Sequence, residues 1–404
     1  MQQQQIVILG GGYAGLMAAI RLAKKTKQQA VGITLVNATD KLIHRIRLHQ
    51  VATQQDIEEL SIPHLFKGTG IQFVQGFVTD IDLQAKQISV ESNGGVQTLT
   101  YDKLVYALGS MTNRDTVKGL RDNAYTLDWD STQKLAQHLP EIAKQKGRII
   151  VVGSGATGLE SATEFAGSYP DARVELVTQG TLAGYLSPKG IRHVRKVFNR
   201  LNITIHEQLP IAEISDSTVI SETGDRLPYD AVIWTGGFVA NPLAKQVGFA
   251  VNQVGQIKVD SRLHAQSHPD VYVVGDAADV PTIIDTKIRM SCYVANYMGA
   301  GVANIIVDEL RGKVAQPFAI SYFNLCISLG RKDGLIQFLH HDDSPRKAIL
   351  TGRLAARYKE LIVGNVTQAL YIEKRLPLLA YWAGKNRLKN SDTVSKTVLS
   401  ENYG

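Results

Sequence analysis

The sequence has few cysteines and no long apolar run. Its two cysteines, Cys292 and Cys326, form no CxxC pattern, so neither a disulfide framework nor a thiolate metal site is indicated. No apolar stretch approaches the ~20 residues that a transmembrane helix needs. The first apolar run, Ile6 to Leu9, lacks the charged start and the cleavage site of a signal peptide. We therefore expect a cytoplasmic protein without a membrane-spanning helix.

An excess of positive charge is also missing from most of the chain. In total, 44 Lys and Arg face 37 Asp and Glu. Residues 345–404 hold 11 of the basic and 4 of the acidic residues, which leaves 33 of each sign before them. Clustered cations can bind phosphates without regard to sequence, but no aromatic platform for stacking bases is interleaved with them. We therefore do not expect a nucleic-acid partner.

Glycines are abundant, and the first group lies in a strand, turn, helix and strand pattern over residues 6–36. Gly10, Gly12 and Gly15 form a GxGxxG motif between the first strand and the helix. In that position the backbone can approach a pyrophosphate and offer it N–H groups and the helix dipole. The strand-end position that contacts a ribose in such folds is Asn37.

A second copy of the pattern covers residues 149–177. Gly153, Gly155 and Gly158 form its GxGxxG motif, and Thr178 occupies the strand-end position. One glycine-rich turn can be purely structural, but two in the same context predict two dinucleotide sites.

The two strand ends bear on the choice between NADH and NADPH. Neither Asn37 nor Thr178 is acidic, so neither would bind a ribose hydroxyl with a charge. The 2′-phosphate of NADPH favours nearby arginines, and none occurs between Arg173 and Arg192. This weakly favours NADH and leaves NADPH open.

A third buried-strand pattern, Val271–Val274, is followed by Gly275 and Asp276. Its position beyond the second glycine motif predicts that the first nucleotide-binding domain is discontinuous. We expect an α/β protein with two Rossmann-like dinucleotide-binding domains, the NAD(P)H domain inserted into the FAD domain, plus a C-terminal α/β segment. The expected division is residues 1–112 with 257–322, residues 113–256, and residues 323–404.

The order of these motifs resembles that of flavoproteins with two dinucleotide-binding domains, the pyridine nucleotide-disulfide oxidoreductase superfamily. Apolar strands that end at Gly109 and Gly236 are similar to those that close each nucleotide-binding portion in that superfamily. Segments 168–171, 289–292 and 328–334 look most like the ferroptosis-suppressor and apoptosis-inducing-factor-like NAD(P)H:quinone oxidoreductases. Type II NADH dehydrogenases are the next most similar group.

The resemblance implies FAD in the first domain, NAD(P)H in the second, and a hydrogen bond from Asp276 to the FAD ribityl chain. It also implies hydride transfer from the nicotinamide to the flavin, followed by reduction of a second acceptor. Disulfide reductases of the superfamily carry redox cysteines after the second strand, and residues 37–60 contain none. This excludes their chemistry.

Four side chains are candidates for the reaction site by the same resemblance. Glu160 falls where relatives keep a glutamate beside the nicotinamide, although a glutamate in a first helical turn also simply suits the dipole. His44 would donate a hydrogen bond or relay a proton near the flavin, or pack as an ordinary loop histidine. Arg45 would bind the FAD pyrophosphate or remain solvated. Arg289, before a helix, would stabilise reduced flavin.

The basic C-terminal segment, residues 353–382, predicts an amphipathic helix. Its apolar positions are spaced as one helical stripe, with Arg353, Arg357 and Lys359 outside the stripe. The stripe consists of Leu354, Tyr358, Leu361, Ile362, Val366, Ala369 and Leu370. Such a helix can lie at the inner face of a membrane and reach lipid-soluble quinone, or dock on its own domain.

The function expected from these features is a FAD-dependent NAD(P)H:quinone oxidoreductase. Two alternatives stay open: a reductase that feeds a ferredoxin-type carrier, and a redox-sensing binding protein like the apoptosis-inducing factors. The identity of the acceptor does not follow from the sequence, because quinone-contacting glutamines of type II dehydrogenases are replaced here by Tyr293 and Asn296.

Overall fold

A computed structural model describes residues 3–281 and 288–376. The described residues form ten α-helices, and none of these is long and apolar enough to cross a bilayer. The helices are α1 (Tyr13–Lys25), α2 (Leu48–Val51), α3 (Ile62–Phe66), α4 (Leu120–Asn123), α5 (Trp129–Lys144), α6 (Ala156–Ser168), α7 (Pro188–Arg200), α8 (Leu243–Gln246), α9 (Cys292–Leu310) and α10 (Gly352–Arg375).

The strands of the described chain are short and numerous. They are β1 (Gln4–Leu9), β2 (Val31–Asn37), β3 (Lys41–Leu42), β4 (Leu60–Ser61), β5 (Gln72–Gln75), β6 (Phe77–Asp82), β7 (Gln87–Ser92), β8 (Gly95–Thr100), β9 (Lys103–Tyr106), β10 (Ser110–Thr112), β11 (Tyr125–Thr126), β12 (Arg148–Val152), β13 (Arg173–Val177), β14 (Thr204–His206), β15 (Ile211–Ser215), β16 (Thr218–Ser221), β17 (Arg226–Pro228), β18 (Ala231–Trp234), β19 (Phe238–Ala240), β20 (Ile257–Lys258), β21 (His264–Ala265), β22 (His268–Val273), β23 (Ala278–Asp279), β24 (Asn324–Ser328), β25 (Gly334–Leu339) and β26 (Pro345–Thr351).

The first large sheet has the strand order β21, β22, β9, β1, β2, β5. All its pairs except the β21 edge are parallel. The apolar run Ile6–Leu9 forms the centre and is buried, as expected for a parallel strand covered on both faces. Helices α1 and α9 pack closely together beside it. Because β22 comes from residues 268–273, this sheet is built from two separated parts of the chain.

The second large sheet has the order β11, β18, β12, β13, β14, and all its pairs are parallel. Its strands come from residues 125–234, between the two parts that build the first sheet. The predicted architecture of two Rossmann-like cores is confirmed. An antiparallel pair, β10 with β19, joins the segments that connect the two cores.

Smaller antiparallel sheets complete the fold: β6–β7–β8, β15–β16–β17 and β24–β25–β26, with β3–β4 as a two-stranded pair. Helix α10 packs against β25 and α1. A buried ion pair, Arg21 Nε to Glu373 Oε1 at 2.6 Å, fastens α10 to α1. The described part of the C-terminal segment is therefore docked on the protein, and residues 377–382 lie outside the described ranges.

Only part of the predicted apolar stripe of α10 is buried in the structure. Val366, Ala369 and Leu370 are buried, whereas Leu354 and Leu361 are exposed. Lys359 was predicted to lie outside this stripe, and it pairs with Glu160 Oε1 at 3.0 Å. Its side chain is directed into the protein because a buried carboxylate attracts it there.

Candidate active site

The first glycine loop lies between β1 and α1. Gly10 has φ +103°, and a Cβ on Gly15 would lie 1.9 Å from the Gly10 carbonyl oxygen. Only glycine fits these two positions. A Cβ on Gly12 would meet nothing within 4 Å, so the backbone at the start of α1 faces open space. This is the geometry that receives a pyrophosphate.

The second loop, between β12 and α6, repeats this arrangement. Gly153 has φ +112°, and a Cβ on Gly158 would lie 1.9 Å from the Gly153 carbonyl oxygen. Gly155 again faces open space. Two open glycine loops of the same shape therefore lie at the N-termini of α1 and α6. These loops, at Gly12 and Gly155, are called the first and second cradle below.

The strand-end residues brace these loops. Asn37 Oδ1 accepts a hydrogen bond from the Gly11 N–H at 2.8 Å, and its Nδ2 donates to the Thr39 carbonyl oxygen. Thr178 Oγ1 lies 2.9 Å from Ser154 Oγ. Contact of Asn37 and Thr178 with ribose stays a prediction, because each is already engaged in holding its glycine loop.

Both helix N-termini open onto one cavity of about 1750 Å³, counting its open mouth. Gly12 and Tyr13 line it from the first core, and Ala156 and Glu160 line it from the second. Ligands bound at the two helix N-termini would therefore meet in this cavity.

Asp276 lies in the cavity wall after Gly275, which has φ +70°. Its Oδ2 accepts a hydrogen bond from Ser110 Oγ at 2.7 Å. Burial raises the pKa of Asp276, while Ser110 and the nearby Arg45 act in the opposite direction. A buried carboxylate directed into a cavity suits a hydroxyl-rich chain such as ribityl, whose O–H groups can donate to it.

Arg45 is anchored next to this aspartate. Its Nη1 donates to the Ser110 carbonyl oxygen at 2.6 Å, and its guanidinium lies 5.4 Å from the centre of the Phe238 ring. Gly109 lines the same region with φ +66°. In the second core, just after β18, the Gly236 carbonyl oxygen accepts a hydrogen bond from Trp234 Nε1 at 2.6 Å.

Glu160 is buried and faces the cavity from α6. Its Oε1 accepts hydrogen bonds from Lys359 Nζ and from the Ser328 N–H, both at 3.0 Å. Burial acts to raise the pKa of Glu160, but Lys359 and then His49 outweigh it, so the pKa is lowered. Glu160 is thus held as a carboxylate in a fixed orientation.

Arg289 reaches the cavity before α9, which begins with Ser291 as its N-cap. Its guanidinium forms an ion pair with Asp343 and lies 5.1 Å from the centre of the Tyr322 ring. Asp343 therefore compensates the positive charge of Arg289. Stabilisation of a reduced flavin by Arg289 stays a prediction.

His44 lies behind the cavity wall and not in it. Its Nδ1 is 3.1 Å from Tyr13 OH, and it borders a separate groove between residues 56–60 and α10. Burial, with help from Arg47, lowers the pKa of His44 to about 4. Any effect of His44 on the cavity passes through the Tyr13 ring, and its proposed catalytic role stays a prediction.

A family model described as pyridine nucleotide-disulphide oxidoreductase matches residues 4–299. The chain belongs to this family. The type II NADH:quinone oxidoreductase of Staphylococcus haemolyticus is 25% identical over 390 residues, covering 89% of this chain and 94% of the relative. Ferroptosis suppressor protein 1 of Xenopus tropicalis is 25% identical over 352 residues, covering 83% and 88%.

Solved structures agree on the fold. NDH2 from Plasmodium falciparum in complex with NADH superposes with a TM-score of 0.78 at 15% identity, covering 94% of this chain and all of that one. The family match over residues 4–299 confirms the sequence-based assignment to this superfamily of two-domain flavoproteins.

The disulphide in the family's name has no counterpart here. Cys292 and Cys326 are both free thiols in the cavity wall. Burial raises the pKa of the Cys326 thiol to about 11, which keeps it protonated and a poor nucleophile. Neither cysteine is part of a disulfide in this structure.

Lys359 and His49 are two charged or titratable residues of the cavity wall that sequence reasoning did not assign to the site. Lys359, on α10, also donates to the Cys326 carbonyl oxygen at 3.1 Å. His49, on α2, lines the same wall and is 3% exposed. Neither lies in a motif. For His49, the only signal was its position one helical turn beyond Arg45, a residue already placed at the cofactor.

Proposed function

We propose that this chain is a FAD-dependent NAD(P)H:quinone oxidoreductase. The observation that carries the proposal is that the glycine loops at Gly12 and Gly155 lead into two helices whose first residues line one cavity, and the Glu160 carboxylate lines the same cavity. Relatives over most of the chain are named as NADH:quinone oxidoreductases, and the same reaction is proposed for this chain.

FAD occupies the first cradle in this proposal, with its ribityl hydroxyls on Asp276 and its pyrophosphate at the start of α1. NADH occupies the second cradle, at the start of α6. A bound flavin supplies hydride acceptance from NADH and electron delivery to a second acceptor. The protein supplies the orientation of the two rings and excludes water from between them.

Glu160 orients the nicotinamide in this proposal. A carboxylate that accepts from Lys359 and Ser328 has free lone pairs left, and these can accept the N–H groups of a carboxamide. Because the carboxylate is fixed by two hydrogen bonds, the nicotinamide is held in one pose. This is binding and positioning by Glu160, with no proton transfer required of it.

We propose NADH in preference to NADPH. The strand-end Thr178 is uncharged and already bonded to Ser154. Arg195, on the following helix α7, is engaged by both carboxylate oxygens of Glu207 at 2.7 Å, so it is not free to bind a 2′-phosphate.

A cytoplasmic protein attached peripherally at the inner membrane face is our proposed location. The outer side of α10 presents Leu354 and Leu361, which are 64% and 61% exposed, beside Arg353 and Arg357. Apolar and basic side chains together favour an anionic bilayer surface. Ile362, from the same helix, lines the cavity and would connect it with lipid-soluble quinone.

The experiment that tests the function is an acceptor screen with the purified, FAD-loaded protein. We expect rapid anaerobic bleaching of the flavin by NADH and steady turnover with short-chain quinones. Turnover with a ferredoxin and not with quinones would establish the carrier-reductase alternative. Rapid reduction followed by very slow reoxidation with every acceptor would instead establish a redox-sensing binding protein.

A further inference from the structure

His49 is a buried histidine with an unpaired ring nitrogen. It is 3% exposed, and its Nε2 has no hydrogen-bond partner among the described residues. Buried polar atoms in folded proteins are nearly always hydrogen-bonded, because an unpaired one destabilises the native state. An apolar side chain would fill the same space without destabilising the fold, so the buried imidazole is expected to have a function.

The imidazole lies in a wall shared by two spaces. His49 and Lys359 line the large cavity on one side. On the other side they line a surface cleft, called here the basic cleft, whose rim is formed by Arg331, Lys332, Arg353 and Arg357. The four rim residues are exposed, so water reaches the cleft. His49 therefore stands between solvent and the cavity that holds Glu160.

Charged groups surround the ring on several elements. Glu160 from α6, Lys359 from α10, Arg331 from the loop after β24 and Arg47 from the turn before α2 all act on it. Burial, followed by these cations, lowers the pKa of His49 to about 4, against the effect of Glu160. The ring is neutral at pH 7, so one nitrogen carries a hydrogen and the other accepts one.

We propose that His49 is a proton-relay residue that connects water in the basic cleft with Lys359 in the cavity. The inference rests on the proposed function. The hydride of NADH brings two electrons and one proton, so reduction of a quinone to a quinol needs one further proton from solvent. Nothing in the flavin or nicotinamide chemistry supplies that proton.

The relay moves one proton in three balanced transfers. The Lys359 ammonium gives a proton to a quinone oxygen and becomes a neutral amine. That amine takes the proton carried on one nitrogen of His49, while the other ring nitrogen takes a proton from water in the basic cleft, and the hydroxide that is left is neutralised by a proton from bulk solvent. Lys359 is again an ammonium paired with Glu160, and His49 is again neutral with its two nitrogens exchanged, which a ring rotation resets.

His49→Gln and His49→Ala test the relay in the FAD-loaded enzyme, with His64→Gln as the matched control, since His64 is an exposed histidine on α3. Each variant is assayed with a water-soluble quinone, which takes up protons, and with ferricyanide, which takes up electrons alone. We expect quinone turnover to fall about tenfold or more, the contribution of a positioned proton-transfer group being ~10²–10⁴-fold. Ferricyanide turnover and FAD content should stay at the wild-type level.

Two further readouts separate a relay from a structural role. Added imidazole should restore quinone turnover in His49→Ala, and the solvent deuterium isotope effect on quinone turnover should grow in His49→Gln. Equal losses with both acceptors, or wild-type quinone turnover in His49→Gln, would overturn the relay while leaving the quinone reductase function intact. A wild-type enzyme that reduces ferricyanide and no quinone would overturn both.

Discussion

Lys359 Nζ lies 3.0 Å from Glu160 Oε1, so the C-terminal helix supplies the partner of a carboxylate at the start of the second nucleotide-binding helix. The pair is buried, and each member stabilises the charged form of the other: Glu160 outweighs the effect of burial and raises the pKa of Lys359. Helix α10 therefore forms part of the cavity wall and is not only a surface segment.

Replacing Lys359 with Met should leave a buried carboxylate without its cation. Removal of one member of a buried pair costs about 3–5 kcal/mol, and unfolding in urea at pH 7 measures it. The pKa of Glu160 should rise, because burial then acts without Lys359. Stability from ionised Glu160 is present above its unfolded pKa in the wild type and lost as pH falls through the folded pKa.

In Lys359→Met the pH dependence of stability is reversed, because a Glu160 pKa that is raised in the folded state makes the protein lose stability as pH rises from the unfolded pKa to the folded one. The double variant Glu160→Gln, Lys359→Met serves as the control, because it carries no buried charge at this position. If the single and double variants have the same stability at pH 5 and at pH 8, the pair is not coupled as described.

Glu160→Gln should slow reduction of the flavin by NADH while FAD remains bound. An amide keeps the size of the side chain but offers one carbonyl oxygen in place of the carboxylate, and it no longer attracts Lys359 as a charge. Loss of one such orienting interaction is expected to lower the reduction rate by about 10²-fold. Stopped-flow absorbance under anaerobic conditions measures the rate, and an unchanged rate would assign Glu160 to a structural role.

The two open glycines offer a matched pair of substitutions. A valine at Gly12 meets no protein atom within 4 Å at its Cβ, so it should fold normally and yet fill the pyrophosphate cradle of FAD. We expect a colourless protein with wild-type secondary structure. Gly155→Val should remain yellow and instead raise KM for NADH by about tenfold or more, because a lost phosphate contact is worth over 1.4 kcal/mol.

Absorbance at 450 nm per mole of protein distinguishes the two glycine variants, with circular dichroism as the folding control. A yellow Gly12→Val protein with normal NADH oxidation would remove the first cradle from the FAD site. Loss of flavin in both variants would mean that the two cradles do not act separately.

The exposed side of α10 should carry any membrane attachment. Leu354→Asp with Leu361→Asp should abolish flotation with anionic vesicles and lower turnover with long-chain quinones, while short-chain quinone turnover is retained. Charges within a Debye length of the surface each contribute ~1 kcal/mol, so wild-type binding should weaken as salt rises. The control, Val96→Asp, introduces the same charge at an apolar side chain of β8 that is 69% exposed, and retained flotation in the double variant would exclude this surface.

Deleting α10 would be a poor substitute for these point changes. Truncation before residue 354 also removes Lys359 from Glu160 and Glu373 from the buried Arg21. The expected result is loss of stability and of the site together, from which nothing about membranes could be concluded.

Local sequence patterns were sufficient to predict the two nucleotide-binding folds. At Gly10, Gly15 and Gly158 a backbone atom lies within 1.9 to 2.4 Å of a would-be Cβ, and Gly153 has φ +112°. Such steric requirements can be read directly from the glycines in the sequence. Continuous apolar runs likewise predicted the buried parallel strands, since both faces of those strands are covered. Asp276 was located by its motif and lines the cavity.

The remaining parts of the site depend on contacts between distant segments. The sequence by itself determined the cradles, the strands and the carboxylate at residue 160, because each follows from spacing within one βαβ unit. Only the tertiary structure decided that Lys359 turns inward, that His49 and not His44 borders the cavity, and that Asp343 compensates Arg289. The physical reason is that the direction of a helix face is set by what it packs against, and a buried Glu160 stabilises an inward cation more than solvent does.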